Sequence, residues 1–361
     1  LPVRPSQKID VFPAVAKGVL TSLFVSAKLA LRRRIFEETI VDFAAREIEE
    51  RQMILCCGEA LIDMVPVKGV NGQDAFAPLS GGAIFNTAIA LGRLEVPVQL
   101  LSGVSNDLFG TQLAAELQSS NVGTDLLVRS KRPTTLAFVK LTNGQAQYTF
   151  YDENSAGRMM VSEDLPDIGT DVSALYFGGI SLCAEPAASA YEGLAIEAAE
   201  RAVLMIDPNI RPSFIEDETA YRARLDRMLA AADIVKVSDE DLDWIIPTDV
   251  SFEDKVEQLH QNGADIVIIT KGGDGASAYM RGQPVVNVAV PKVTVVDTVG
   301  AGDTFNAGFL AQLHTLGCLN KEALRKVTGV EIEKALSYAA RVAGVTVSRA
   351  GANPPTLAEL S

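Results

Sequence analysis

Apolar and polar positions along this chain fall into two alternating regimes. Short continuous apolar runs, often closed by glycine or aspartate, alternate with stretches in which apolar residues recur every three or four positions. The first regime predicts buried strands and the second amphipathic helices. Met53-Ile54-Leu55-Cys56-Cys57-Gly58 reads as the first strand. A helix over 82–94 follows, with Ala83, Phe85, Ala88, Ile89 and Leu91 inward. Further strands are predicted over 98–103, 174–178, 203–207, 234–237 and 266–270. Helices are predicted over 113–118, 187–200, 220–231 and 252–262, then from Asp303 and over 330–345.

This βαβα order predicts an α/β fold, with a mostly parallel central sheet covered by helices on both faces. Two hairpins interrupt it. Runs at 136–141 and 147–151 flank Thr142-Asn143-Gly144-Gln145, and Asn-Gly is a strong hairpin signal. Runs at 276–280 and 285–288 flank Arg281-Gly282. The first hairpin, with the segment near 63–79, is expected to form a small separate β-sheet lid, built from about 63–80 and 134–152. There is no internal repeat and no low-complexity linker. One large domain over 53–361 with a small lid fits better than two equal domains.

The first 52 residues differ from the rest. They carry nine basic and seven acidic residues, a net of +2, against −16 for the remainder. Basic residues come early, at Arg4, Lys8, Lys17, Lys28 and Arg32-Arg33-Arg34, and acidic residues later. The apolar spacing from Val15 to Glu50 is helical. A targeting peptide, a partner-binding helix and an appendage before a functional start at Met53 all fit. The expectation is the appendage, because a strand and a glycine-acid turn begin directly after Met53.

Composition narrows the function. The net charge of −14 argues against a general nucleic-acid binder, which needs a basic face. Two histidines, His260 and His314, make a histidine-rich metal site or a histidine-based hydrolase a poor fit. Four cysteines, Cys56, Cys57, Cys183 and Cys318, form no zinc spacing and read as reduced thiols of a cytoplasmic protein. No apolar run approaches the roughly 18 residues of a membrane span.

The strongest chemical signal is Val295-Val296-Asp297-Thr298-Val299-Gly300-Ala301-Gly302-Asp303 and the helical stretch after it. It reads as a strand ending in Asp297, a tight glycine turn, and a helix beginning near Gly302. Small residues at 300–302 leave backbone N–H groups open at a helix N-terminus, which makes an anion site. The lysine of a P-loop is missing. Alone, Asp303 is a favourable acid in a first helical turn. Beside an anion hole, it is also a base for an attacking hydroxyl. A second segment, Leu79-Ser80-Gly81-Gly82-Ala83-Ile84-Phe85-Asn86, brings paired glycines into a helix. Asn86, one turn in, reads either as a ligand contact or as a surface amide.

Together these two segments resemble the signatures of the ribokinase family, the PfkB-type carbohydrate kinases, and within it the fructokinases. The resemblance runs from 53 to about 359. Two separated signatures in the right order are far more specific than one glycine motif. The resemblance implies a ribokinase-like fold and ATP-dependent transfer of a phosphoryl group to a primary sugar hydroxyl. It implies Asp303 as the base and Gly300, Ala301 and Gly302 as the anion hole. Gly58-Glu59-Ala60-Leu61-Ile62-Asp63 resembles the first sugar loop, with Asp63 accepting from sugar hydroxyls, and Gly81, Gly82 and Asn86 completing the floor. Closure of the lid would exclude water.

For the nucleotide, Thr270-Lys271-Gly272-Gly273-Asp274-Gly275 looks like the ATP loop, though it also reads as an ordinary turn. Ser238 and Asp241 stand where the family has Asn-x-x-Glu, which favours contact with Mg²⁺ through water. Asn353 is placed beside the adenine. Asp297 and the Val299 carbonyl are candidate ligands for a monovalent cation, K⁺. The implied cofactors are therefore ATP, Mg²⁺ and K⁺, the partners are a small-molecule sugar and ATP, and a homodimer is compatible with the resemblance.

Asp207-Pro208-Asn209-Ile210-Arg211-Pro212 resembles a segment shared by fructokinases and 2-keto-3-deoxygluconate kinases. Arg211 faces either phosphate, an acidic substrate or solvent, and Arg158 is a further sugar-site candidate. D-Fructose is the expected acceptor. The rivals are 2-keto-3-deoxygluconate, which would recruit a second arginine, then ribose or a nucleoside. A non-catalytic sugar-binding protein would be expected to lack the base. A dinucleotide oxidoreductase would need Gly-x-Gly-x-x-Gly after the first strand, which is absent.

Overall fold

The computed structural model describes residues 53–142 and 145–361. The helical expectation for 1–52, the reading of Met53 as a start, and the Asn143-Gly144 turn lie outside the described residues. The strands are β1 (Met53–Cys57), β2 (Leu61–Lys68), β3 (Asp74–Gly81), β4 (Val98–Leu101), β5 (Gly103–Ser105), β6 (Val128–Ser130) and β7 (Leu136–Thr142). They continue as β8 (Gln145–Tyr151), β9 (Val172–Gly178), β10 (Val203–Asp207), β11 (Ile234–Ser238), β12 (Ile266–Thr270), β13 (Ala276–Met280) and β14 (Val286–Val288). The helices are α1 (Ala83–Arg93), α2 (Leu108–Ser119), α3 (Ala187–Ala198), α4 (Glu218–Ala231), α5 (Asp239–Ile245), α6 (Phe252–Asn262), α7 (Ala301–Thr315), α8 (Lys321–Leu324) and α9 (Gly329–Val347).

The central sheet runs β14-β13-β12-β11-β10-β9-β1-β4. From β4 to β12 every pairing is parallel, and β13 and β14 add antiparallel edges. Alternate residues of each strand enter different cores. Ile54, Cys56, Tyr176, Met205 and Ile268 pack under α1, α7 and α9. Leu55, Cys57, Phe177, Ile206 and Ile269 pack under α3, α4 and α6. This is the mostly parallel sheet that the alternation predicts, with helices on both faces, and it fits the ribokinase-like fold that the resemblance implies.

From β1 the chain moves outward to β4, then returns to β9 on the other side of β1. In such sheets a crevice opens outside the carboxyl ends where the winding direction reverses. The expected small second sheet is present, in the order β3-β2-β7-β8. The hairpin β7–β8 is antiparallel up to Thr142 opposite Gln145.

Four local expectations are corrected. The strand over 98–103 is broken at Ser102, and Gly103–Ser105 pairs separately with Val128–Ser130. The bend brings Gly103 so close to Ala156 that a Cβ there would lie 2.1 Å from its carbonyl oxygen. The run before Asp297 is not a strand. Among the described residues no strand pairs with it, Val295 and Val296 are exposed, and the N–H groups of Val296 and Asp297 donate to the Val347 carbonyl at the end of α9. The helix after it begins at Ala301 rather than Gly302. Ala83 is half-buried rather than in the core, because it starts α1 at the crevice.

Candidate active site

The carboxyl ends of β1, β9, β10 and β11 meet the N-termini of α1 and α7 around a cleft of about 830 Å³. Each turn into the cleft has a steric reason. Gly300 takes a left-handed φ of 76° as the N-cap of α7, and a Cβ there would lie 2.6 Å from that of Ala352. Gly81 leaves room for Asp63, whose Oδ2 would be 2.3 Å from a Cβ at that position.

Asp303 sits in the first turn of α7 and is buried. Asn86 Nδ2 donates to its Oδ2 at 2.9 Å, and Thr87 Oγ1 donates to its carbonyl at 3.1 Å, so α1 holds α7. Burial pushes the Asp303 carboxyl up to about 7. Asp207 and Glu59 add to that rise, while Asn86 and Lys236 oppose it. Of the three residues expected to form the anion hole, Ala301 turns its N–H back to the Thr298 carbonyl. The N–H groups of Gly302 and Asp303 have no acceptor among the described residues and stand open at the helix start.

On the sugar side, Asp63, Gly82 and Asn86 line the cleft. The Asp63 carboxylate has no hydrogen-bond partner among the described residues, and burial pushes it up to about 6. Glu59 lies in the first loop, and its role was not legible from the sequence. Its Oε1 accepts from Ala83 N–H at 3.0 Å and its Oε2 from Ser181 N–H at 3.2 Å. Glu59 therefore ties the turn after β9 to the start of α1. Burial raises its proton affinity, against the pull of these bonds. Tyr148 and Phe150 of β8 reach the cleft from the second sheet and were also missed.

The two arginines separate. Arg211 lines the cleft, with its Nη1 donating only to the Asn209 and Ile210 carbonyls, at 3.4 and 3.0 Å. Arg158 turns to the Glu216 carboxylate at 3.1 Å and lines an adjoining water-sized cavity instead.

On the nucleotide side the polar side chains brace loops. Ser238 and Asp241 form a capping box on α5, and Asp241 Oδ1 also accepts from Ile210 N–H at 3.1 Å. Asp297 accepts from Val299 N–H at 3.0 Å and from Gly351 N–H at 2.9 Å. Asn353 Oδ1 accepts from Arg93 Nη1 at 2.8 Å. Thr270 ends β12, with its hydroxyl 3.5 Å from the Val237 carbonyl. Lys271 lies 4.7 Å over the Phe252 ring. Gly272 and Gly275 carry φ of 51° and 104° on either side of a single 3₁₀ turn.

Beneath the cleft lies a buried polar chain. Lys236 Nζ donates to Asp207 Oδ2 at 2.8 Å, and Asn306 Nδ2 donates to the same oxygen at 2.7 Å and to Tyr176 Oη at 2.8 Å.

No group of three metal-ligating side chains occurs among the described residues. This donor set fits a Mg²⁺ held mainly by phosphates and water rather than by a cage of protein ligands. Each Asp297 oxygen accepts one backbone N–H and keeps a further lone pair, and Val299 lines the cleft.

Comparison with known proteins agrees with this geometry. Residues 51–359 match the model of the pfkB family carbohydrate kinases. A fructokinase of Rhizobium leguminosarum bv. trifolii is 51% identical over 271 residues, covering 74% of this chain and 82% of that protein. Fructokinase-1 of Zea mays is 32% identical, covering 86% of this chain and 97% of that protein. Among solved structures, a fructokinase with bound ATP from Xylella fastidiosa superposes with a TM-score of 0.78 at 30% identity, covering 86% of this chain and 97% of that one. Sequence, sheet and crevice thus lead to one assignment: the chain belongs to the pfkB family of carbohydrate kinases and is fructokinase-like.

Proposed function

We propose that this protein transfers the γ-phosphoryl group of ATP to the primary hydroxyl of D-fructose, giving fructose 6-phosphate. The observation that carries this reading is Asp303, a buried carboxylate of raised proton affinity beside open N–H groups at a helix start. The names of the Rhizobium and Zea relatives support fructose, and the Xylella structure supports ATP.

The acceptor hydroxyl gives its proton to the Asp303 carboxylate. Its oxygen bonds to the γ-phosphorus as the bond to the bridging oxygen breaks, and that electron pair leaves with ADP. Charge on the phosphoryl oxygens is met by the N–H groups of Gly302 and Asp303 and by the positive end of α7. Asn86 orients the Asp303 carboxylate. Asp63 accepts hydrogen bonds from sugar hydroxyls, Gly81 leaves its carboxylate room, and Gly82 lets the ring approach the backbone. Mg²⁺, when bound with ATP, neutralises phosphate charge. The second sheet serves as a lid, with Tyr148 and Phe150 closing over the sugar and keeping water from the phosphoryl group. The free thiols of all four cysteines suit a cytoplasmic location.

The sugar-acid alternative would recruit two arginines, and Arg158 is instead engaged by Glu216. The test is ATP-dependent phosphorylation of fructose, 2-keto-3-deoxygluconate, ribose and adenosine with Mg²⁺, with and without K⁺. A kcat/KM preference for fructose of about tenfold or more is expected, since one well-placed polar contact discriminates at least that much. A preference for the sugar acid would overturn the substrate and give Arg211 its carboxylate. No turnover of any sugar would overturn the reaction.

A further inference from the structure

We propose that Lys236 is a further catalytic residue, whose ammonium group contacts the phosphoryl group in flight from beneath the start of α7. This deepens the proposed phosphoryl transfer and rests on it.

The argument begins with position. β11 reads Ile-Val-Lys-Val-Ser, and Lys236 is the one charged residue among its buried positions, at 5% exposure. Burying an ammonium group costs several kcal/mol, in order of magnitude. A pairing with Asp207 offsets part of that. Yet a buried ion pair is often no more stable than an apolar pair of the same volume. Folding alone gives little reason for a lysine here.

Donor supply gives the second step. An ammonium group has three N–H donors and no acceptor. Lys236 gives one to Asp207 and has no other acceptor among the described residues. Asp207 is better supplied, since Asn306 donates to its Oδ2 and the Asn209 N–H to its Oδ1 at 3.2 Å. Charge and donors are therefore in excess on the lysine, and they lie at the cleft wall.

Their direction is given by Gly302. A Cβ built on Gly302 would meet one neighbouring atom, Lys236 Nζ, at 3.5 Å. The open N–H of Gly302 and the ammonium group therefore flank the same space. An oxygen that accepts from Gly302 is within reach of Lys236. Asp207, Asn306 and Tyr176 hold the lysine in place beforehand, as electrostatic stabilisation of developing charge requires.

Lys236→Met alone strands the Asp207 charge and risks misfolding, so Asp207→Asn/Lys236→Met is made beside it. Retained fructose binding by calorimetry checks the fold of each. In the double variant kcat is expected to fall at least about 100-fold with the fructose KM within threefold, the loss typical of a removed oxyanion donor. If Lys236 only neutralises Asp207, the double variant regains turnover within fivefold of the parent, and the proposal fails. A second readout needs no sugar. The ratio of ATP to ADP affinity is expected to drop at least about fivefold in the double variant, and an unchanged ratio overturns the contact. This readout stands even if fructose proves to be the wrong acceptor.

Discussion

The sugar and nucleotide halves that the resemblance implies use their polar side chains in opposite ways. On the sugar side Asp63 faces the cleft with its carboxylate unpartnered, and Asn86 reaches across to Asp303. On the nucleotide side Ser238, Asp241, Asp297 and Asn353 are all engaged in holding loops. What remains open there is backbone and shape: the glycines of the 272–275 turn and the N–H groups at the start of α7. A small polyol is read by side chains that count its hydroxyls, whereas a triphosphate is read by a surface that any well-built loop can supply. Substitution should therefore hurt the first half through contact and the second through loop order.

The largest expected effect sits where the halves meet. Asp303→Asn should lower kcat by at least about 100-fold, the usual worth of a general base, with fructose affinity kept. Rates at saturating substrate with parallel calorimetry would check it, and near-normal turnover would remove Asp303 from the chemistry. Next comes Asp63→Ala, expected to raise the fructose KM about 10- to 100-fold with the ATP KM unchanged, since buried hydroxyl contacts to a charged acceptor are each worth about 1.5–3 kcal/mol. An equal rise in both KM values would break the contrast between halves.

A pH series sharpens it further. Asp303 must be ionised to take a proton, and its affinity stands at about 7, so kcat should climb up to about pH 7 and then level. Asp63, at about 6, accepts best when ionised, so the fructose KM should rise as pH falls through 6. A single shared limb would contradict the separate roles. The smallest effect belongs to the nucleotide side. Asp241→Asn leaves one oxygen to serve two N–H groups, so a stability loss of about 1 kcal/mol, that of a weakened cap, is expected with ATP KM within threefold. Thermal melting against kinetics would decide.

Much of this architecture was legible in the sequence. Strands such as 203–207 and 266–270 and helix 252–262 fall where the apolar period puts them, because each has a partner surface. The valine run before Asp297 has strand propensity but no neighbouring strand, and pairing is what strand propensity measures. The helix Asp239–Ile245 shows no apolar period over its acidic start, although the Ser238-x-x-Asp241 spacing was a cap signal. Asp303, Asp63 and Asn86 were legible as a group because motif and chemistry coincide, and all three line one cleft. Glu59 and Lys236 were not, since their value lies in contacts between distant segments. A charge inside an apolar strand was the available clue to Lys236. Arg158 shows the converse, a residue of the right type in the right segment whose partner, Glu216, lies 58 positions away.

Glu59 joins the turn after β9 to the start of α1 with both of its oxygens. Those two hydrogen bonds come from the chain itself, so on the proposed reading the ordering of this corner is not charged against sugar binding. On that reading fructose should dock onto a floor already in place, with discrimination arising at first contact and commitment at closure of the lid.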